Sequence, residues 1–243
     1  MTIAGARQRT WRFPRLWLRG HILFGSLMWA GLMVLTLVIA LAIDRFGSVP
    51  DSIWEQSSQV VPWYVGGVCW YIAYQTVPTT LAHGRTRRDT AIEVTIFLVT
   101  FAGVAAVLVA AGYLIEYAVY GLAGWPRALS GNQLFDSYLD IPLILLQSWL
   151  VAVVWAGAGA FVGTATYRYP DVGWLSLFPA SVLIGLVGTF TNGFWGPVGY
   201  LIDRFLSVET PSLVFAIPTA IACFLISLAA TWRILRDLPI RTR

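Results

Sequence analysis

The sequence predicts an all-α fold, a polytopic membrane bundle of about six transmembrane helices forming one transmembrane domain over residues 1–243. Three observations carry that expectation. First, 58% of the 243 residues are hydrophobic and only 12% are charged, about half the charged share of a soluble domain; mean hydropathy is +0.71. Such a chain cannot cover itself with polar surface in water, so lipid has to be its solvent. Second, six apolar runs stand out, at roughly 22–43, 60–82, 91–115, 141–166, 174–192 and 212–232. Each is close to the span of about 20 residues that crosses a hydrocarbon core, and none carries a charge in its central part. Third, the arginines segregate between alternate connections.

Before the first run lies Trp11-Arg12-Phe13-Pro14-Arg15-Leu16-Trp17-Leu18-Arg19. Read as a helix, it puts Arg12, Arg15 and Arg19 on one face and Phe13, Leu16, Trp17 and Gly20 on the other. That pattern predicts an amphipathic helix lying in the membrane interface, apolar side down. The first apolar run is too long for the core of a cleavable signal, and no small-residue cleavage pattern closes it. Pro78, Pro142, Pro179 and Pro218 fall toward span ends, where a kink is easier to accommodate.

Counting arginines along the connections gives the topology. The N-terminal segment, the second and fourth connections and the C-terminal tail hold thirteen of the sixteen; only Arg45, Arg127 and Arg204 fall on the other side. Positive charge is retained in the cytoplasm, which places both termini inside a cell (plasma) membrane crossed several times. Two outer segments exceed what connection requires. Residues 116–140 mix aromatic residues with Glu116, Asp136 and Asp140, and residues 192–211 are apolar and glycine-rich, as a re-entrant stretch between spans five and six would be.

The chain contains no lysine, so a phosphate-binding loop, which needs one to reach the terminal phosphates, is excluded. No Gly-x-Ser-x-Gly elbow or His-Glu-x-x-His pair appears either. His21 and His83 sit at span ends, and Cys69 and Cys223 are isolated within apolar runs, a pattern of packing residues rather than of a metal site or disulfide framework. No catalytic residue, cofactor site or metal site is therefore expected in this chain, which is not read as an enzyme. With neutral polar residues such as Gln75 and Gln147 inside the spans, a proton relay has little to work with.

Pro78-Thr79-Thr80-Leu81-Ala82-His83-Gly84-Arg85-Thr86-Arg87-Arg88-Asp89 is the most specific local signal. Gly84 permits a helix stop with a left-handed residue. Thr86 with Asp89 forms an acidic variant of the capping box, so a new helix should start there. The result is a short basic elbow between spans two and three. Gly159-x-x-x-Gly163, with Gly185 and Gly188, supplies small residues for close helix approach, either within the chain or at a dimer seam.

The elbow resembles the connection between spans two and three of small ABC-2 type permeases of ATP-binding-cassette transporters, matching at Pro78, Leu81, Gly84, Thr86, Arg87 and Arg88, and departing at His83 and Asp89. Six spans, an amphipathic N-terminal helix and a re-entrant-like stretch extend the resemblance along the chain. It implies a permease subunit paired with a second permease, identical or homologous, and served by cytoplasmic ATP-binding subunits that carry ATP and Mg. His83, Gly84, Arg85, Thr86, Arg87, Arg88 and Asp89 would then form the coupling loop, braced by the N-terminal helix. An exported compound would be hydrophobic or amphipathic, because no buried charge was evident to recognise an ion. Trp70, Tyr71, Tyr74, Phe178 and Phe190 are candidates to line its path. Two other readings use the same residues: a non-transporting scaffold holding a cytoplasmic protein, and a lipid-acting enzyme built on Glu116, Asp136 and Asp140.

Overall fold

The computed structural model describes residues 12–49, 51–193, 197–206 and 210–238. Among them every regular element is helical. Five helices, Trp17–Phe46, Arg87–Ala123, Ile141–Arg168, Gly173–Asn192 and Leu213–Arg236, are long and apolar enough to cross a membrane. The chain is a multi-pass helical bundle, as the hydropathy pattern predicts.

The first helix, α1, runs unbroken over Arg12–Phe46. The expected interfacial segment is therefore not a separate element: residues 12–19 continue into the first apolar run. Nothing in the sequence stops it, because Pro14 falls in the opening turn, where its missing N–H has no intrahelical partner, and Gly20 is tolerated in helical conformation. Arg12 and Arg15 lie in these first turns, Arg19 is exposed, and Trp17 packs edge-on against Phe97 at 6.3 Å. Arg7, Arg9, Arg241 and Arg243 lie outside the described residues.

The second predicted span is helical throughout but changes gait. It comprises α3 (Val60–Tyr71), a π-helical turn (Ile72–Thr76) and α4 (Val77–Ala82), with the short α2 (Ile53–Ser57) before it. Pro78 explains the interruption. It has no N–H to offer the Tyr74 carbonyl, and its ring crowds that carbonyl. Widening one turn relieves both problems, and the Val77 N–H reaches back five residues to the Ile72 carbonyl.

Beyond the elbow, α5 (Arg87–Ala123), α6 (Ile141–Arg168), a 3-10 turn (Gly173–Ser176) with α7 (Leu177–Asn192), and α9 (Leu213–Arg236) complete the bundle. The segment predicted as re-entrant holds α8 (Pro197–Leu206), a short helix packed on α7; residues 194–196 and 207–209 on either side lie outside the described residues.

At the centre stands α6, against which α3, α5, α7 and α9 all pack. Lipid offers apolar helices no hydrophobic reason to associate, so close backbone approach has to supply the contact. The Gly159–Gly163 pair does this within the chain. A Cβ on Gly159 would run into the Gly66 carbonyl, and one on Gly163 into the Trp70 carbonyl. The small-residue motif thus joins the second and fourth predicted spans.

Candidate functional site

Three groups of side chains bear on function, and two of them occupy opposite ends of the bundle. At the arginine-rich end, the elbow forms as its residues dictate. Gly84 takes a φ of 81°, closing α4 with a left-handed residue. Thr86 caps α5, its hydroxyl oxygen accepting the Asp89 N–H at 3.1 Å while its O–H donates to the Asp89 carboxylate at 2.8 Å. His83 Nδ1 donates to the Thr79 carbonyl at 2.7 Å.

The three elbow arginines have different fates. Arg85 turns inward and pairs with Glu93, which is 2% exposed. Arg87 reaches the other way, donating to the Leu238 carbonyl just beyond α9 at 3.1 Å. Arg88 is exposed, as are His83 and Thr86. The elbow is therefore fastened to two helices and presents one arginine, Arg88, with no contact of this kind among the described residues.

At the opposite end, residues 51–59 and 124–140 fold onto each other around two buried carboxylates. Glu116 accepts from the Ser52 hydroxyl at 2.5 Å and the Trp54 N–H at 2.8 Å. Glu55 accepts from the Ser130 N–H and the Gln133 amide, both at 3.0 Å, and from the Ser130 hydroxyl. The chain of bonds then continues inward. Gln147 donates to Gln133 and to Asn192 Oδ1, the latter at 2.9 Å, and accepts the Leu134 N–H at 2.8 Å. Tyr138, buried in the same cap, has its phenol pushed above the usual range by loss of solvent. Asp136 is exposed and Asp140 precedes α6, so neither joins Glu116 in its hydrogen-bonded cluster.

The third group lines a groove of about 600 Å³ with α6 as floor and α3 and α7 as walls. It is almost wholly apolar, with Trp63, Trp70, Trp155 and Trp174 around it and Gln59 and Asn192 at one end. Trp70 closes the other end, stacked between Tyr74 at 5.2 Å and Trp174 at 5.9 Å. Of the five residues proposed to line a path, only Trp70 borders this groove. Tyr71 is half exposed and borders a separate surface hollow with Trp17 and Gly67. Tyr74 supports Trp70 from behind, Phe178 is 73% exposed, and Phe190 is buried and stacked on Phe215 at 5.6 Å. Helical rotation separates them: adjacent positions such as 70 and 71 point about 100° apart.

The groove residues overlooked in the sequence have a legible signature. Gln59, Trp63, Gly66 and Trp70 recur at helical spacing, as do Leu177, Ser181, Ile184, Gly188 and Asn192. Among the described residues no group of His, Cys, Asp and Glu is arranged to hold a metal. Comparison with known proteins finds no matching family, no curated protein similar in sequence and no solved structure similar in fold.

Proposed function

We propose that this chain is the transmembrane permease subunit of an ATP-binding-cassette transporter, exporting a hydrophobic or amphipathic compound. A separate cytoplasmic subunit supplies ATP, Mg and hydrolysis, and a second permease, identical or homologous, completes the path. In this reading the protein sits in the plasma membrane with both termini and the elbow on the cytoplasmic side.

The observation that supports the reading is the elbow over residues 83–89. It is capped at both ends, fixed to α5 through Arg85–Glu93 and to the end of α9 through Arg87, and leaves His83, Thr86 and Arg88 exposed. A lever between a soluble motor and membrane helices needs those properties: a rigid corner, a firm hold on the helices it moves, and a free face. Exposed Arg88 would orient contact with an acidic groove on the motor more than supply affinity. Movement of the corner then tilts α5 and α9 together, a rigid-body mode of switching.

The test is purification in mild detergent from the native membrane, followed by identification of stoichiometric partners. The expected result is a soluble protein with a phosphate-loop lysine, retained by the wild type and lost in Arg88→Glu. Arg88 is the informative position, because Arg85→Glu would also place like charge against Glu93 and disturb the fold. Recovery of the chain alone after crosslinking overturns the permease reading in favour of the scaffold or the enzyme.

A further inference from the structure

We infer that the groove between α3 and α7 is a binding site for a single-tailed amphipath whose head group offers hydrogen-bond acceptors, read by the side-chain amide of Asn192. This deepens the permease reading by assigning a substrate class to a site, yet the binding it requires involves no partner subunit.

The polarity of the head-group end follows from the carboxylate at the far end of the hydrogen-bond chain. Glu55 takes three donors from Ser130 and Gln133. Gln133 must present its NH₂ to Glu55, so its carbonyl faces Gln147 and accepts. Gln147 spends its NH₂ on Gln133 and Asn192, and its carbonyl on the Leu134 N–H. Asn192 is therefore turned with Oδ1 toward Gln147. What remains is its amide nitrogen, whose N–H groups no described residue accepts, on a side chain that borders the groove. Every amide in the relay is oriented by its neighbour, so the mouth offers a donor by construction. A donor recognises phosphate, ester or sugar oxygens.

The depth of the groove selects the tail. From Gln59 to Trp70 along α3 is eleven residues, about 17 Å at helical rise, close to half of a hydrocarbon core about 30 Å thick. Stacked Trp70 and Trp174 then close it. One leaflet-length chain fits, with its head at the polar end. Because the floor is one helix and the walls are two, the groove opens sideways, so such a molecule can slide in from the bilayer. Gly67, on the exposed wall, has nothing within 4 Å of a would-be Cβ, leaving room that a larger side chain would take.

The probe is a lysophosphatidylcholine with a diazirine near the end of its tail, added to the purified full chain in detergent and photolysed. Cross-linked peptides are mapped by mass spectrometry. Saturable labelling around Trp70 and Trp174, competed by unlabelled lysophosphatidylcholine, is expected. Gly67→Phe should abolish it while leaving the thermal transition intact, since it replaces a helical glycine with a better helix former. Asn192→Asp keeps an acceptor toward Gln147 but puts an oxygen where the donor was. It should weaken the apparent affinity at least about tenfold, the effect of one lost hydrogen bond of about 1.4 kcal/mol, with repulsion between the new carboxylate and the phosphate adding to it. A trimethylammonium amphiphile with the same tail has no acceptor to lose and should bind no more weakly to that variant, because the new carboxylate attracts its cation. Unsaturable labelling spread over the exposed face of α1, or labelling unaffected by Gly67→Phe, overturns the proposal. So does a Gly67→Cys disulfide between two copies, which would make the groove a dimer seam.

Discussion

The two ends of the bundle bury carboxylates by different physics. At the arginine-rich end, Glu93 is compensated by one opposite charge, Arg85, delivered from the elbow. At the loop end, Glu55 and Glu116 are surrounded by neutral donors: hydroxyls, an amide and backbone N–H groups. A charge pair attracts over distance and tolerates reorientation, whereas several short directional bonds hold only one arrangement. The first end is therefore a tether and the second a lock. A transporter that receives motion at one end and keeps the other end ordered would need that asymmetry.

The largest expected effect comes from breaking the tether. Glu93→Ala leaves a partly buried guanidinium without its counter-charge, and loss of one partner of a buried pair costs about 3–5 kcal/mol. The folded fraction in detergent should fall steeply on heating. The double variant Glu93→Gln with Arg85→Gln should recover much of the loss, because it removes both charges. If the double variant is as unstable as the single one, the pair is not what holds the elbow.

Next comes the lock. Glu116→Leu strips the acceptor from the Ser52 hydroxyl and the Trp54 N–H, each left buried and unpaired at about 1–3 kcal/mol. Glu116→Gln retains one carbonyl oxygen for the Trp54 N–H and should cost less than half as much. Equal losses in the two variants would show that shape at this position matters more than the acceptor. Limited proteolysis of residues 124–140 gives a second readout, since opening the cap exposes that segment.

How much of this was legible depends on range in the sequence. The helical bundle and five of the six expected spans could be read because hydropathy and length are local, and the elbow because Gly84, Thr86 and Asp89 form their cap within a few residues. The π turn had its cause in plain view at Pro78, but a proline alone does not say whether a helix will kink, stop or widen. Continuity of α1 was missed because an amphipathic face and an uninterrupted helix coexist in the same residues. The lock joins Glu55 to Gln133 across 78 positions, and nothing local selects that partner. Arg85 and Glu93 stand two turns apart in a region read as topology charges, so the inward turn of one arginine among three was hidden. The groove needed two facts together: the stripe on α3 and the identity of its opposing wall, which only packing on α6 supplies.

The smallest effect sharpens the distinction between tether and free face. Arg87 donates to the Leu238 carbonyl across the end of α9, yet its side chain is largely exposed, so solvent competes for both groups. Arg87→Gln should therefore lower stability by less than about 1 kcal/mol, well below the Glu93→Ala loss. Its consequence should be mechanical instead. If the elbow drives α9 through this bond, the variant retains its partner subunit and loses transport, while Arg88→Glu loses the partner itself. Spin labels at exposed Arg236 on α9 and exposed Arg88 on α5 would report it: their separation should broaden in Arg87→Gln and stay sharp in the wild type. An unchanged distribution would leave Arg85–Glu93 as the working link and assign Arg87 to the surface.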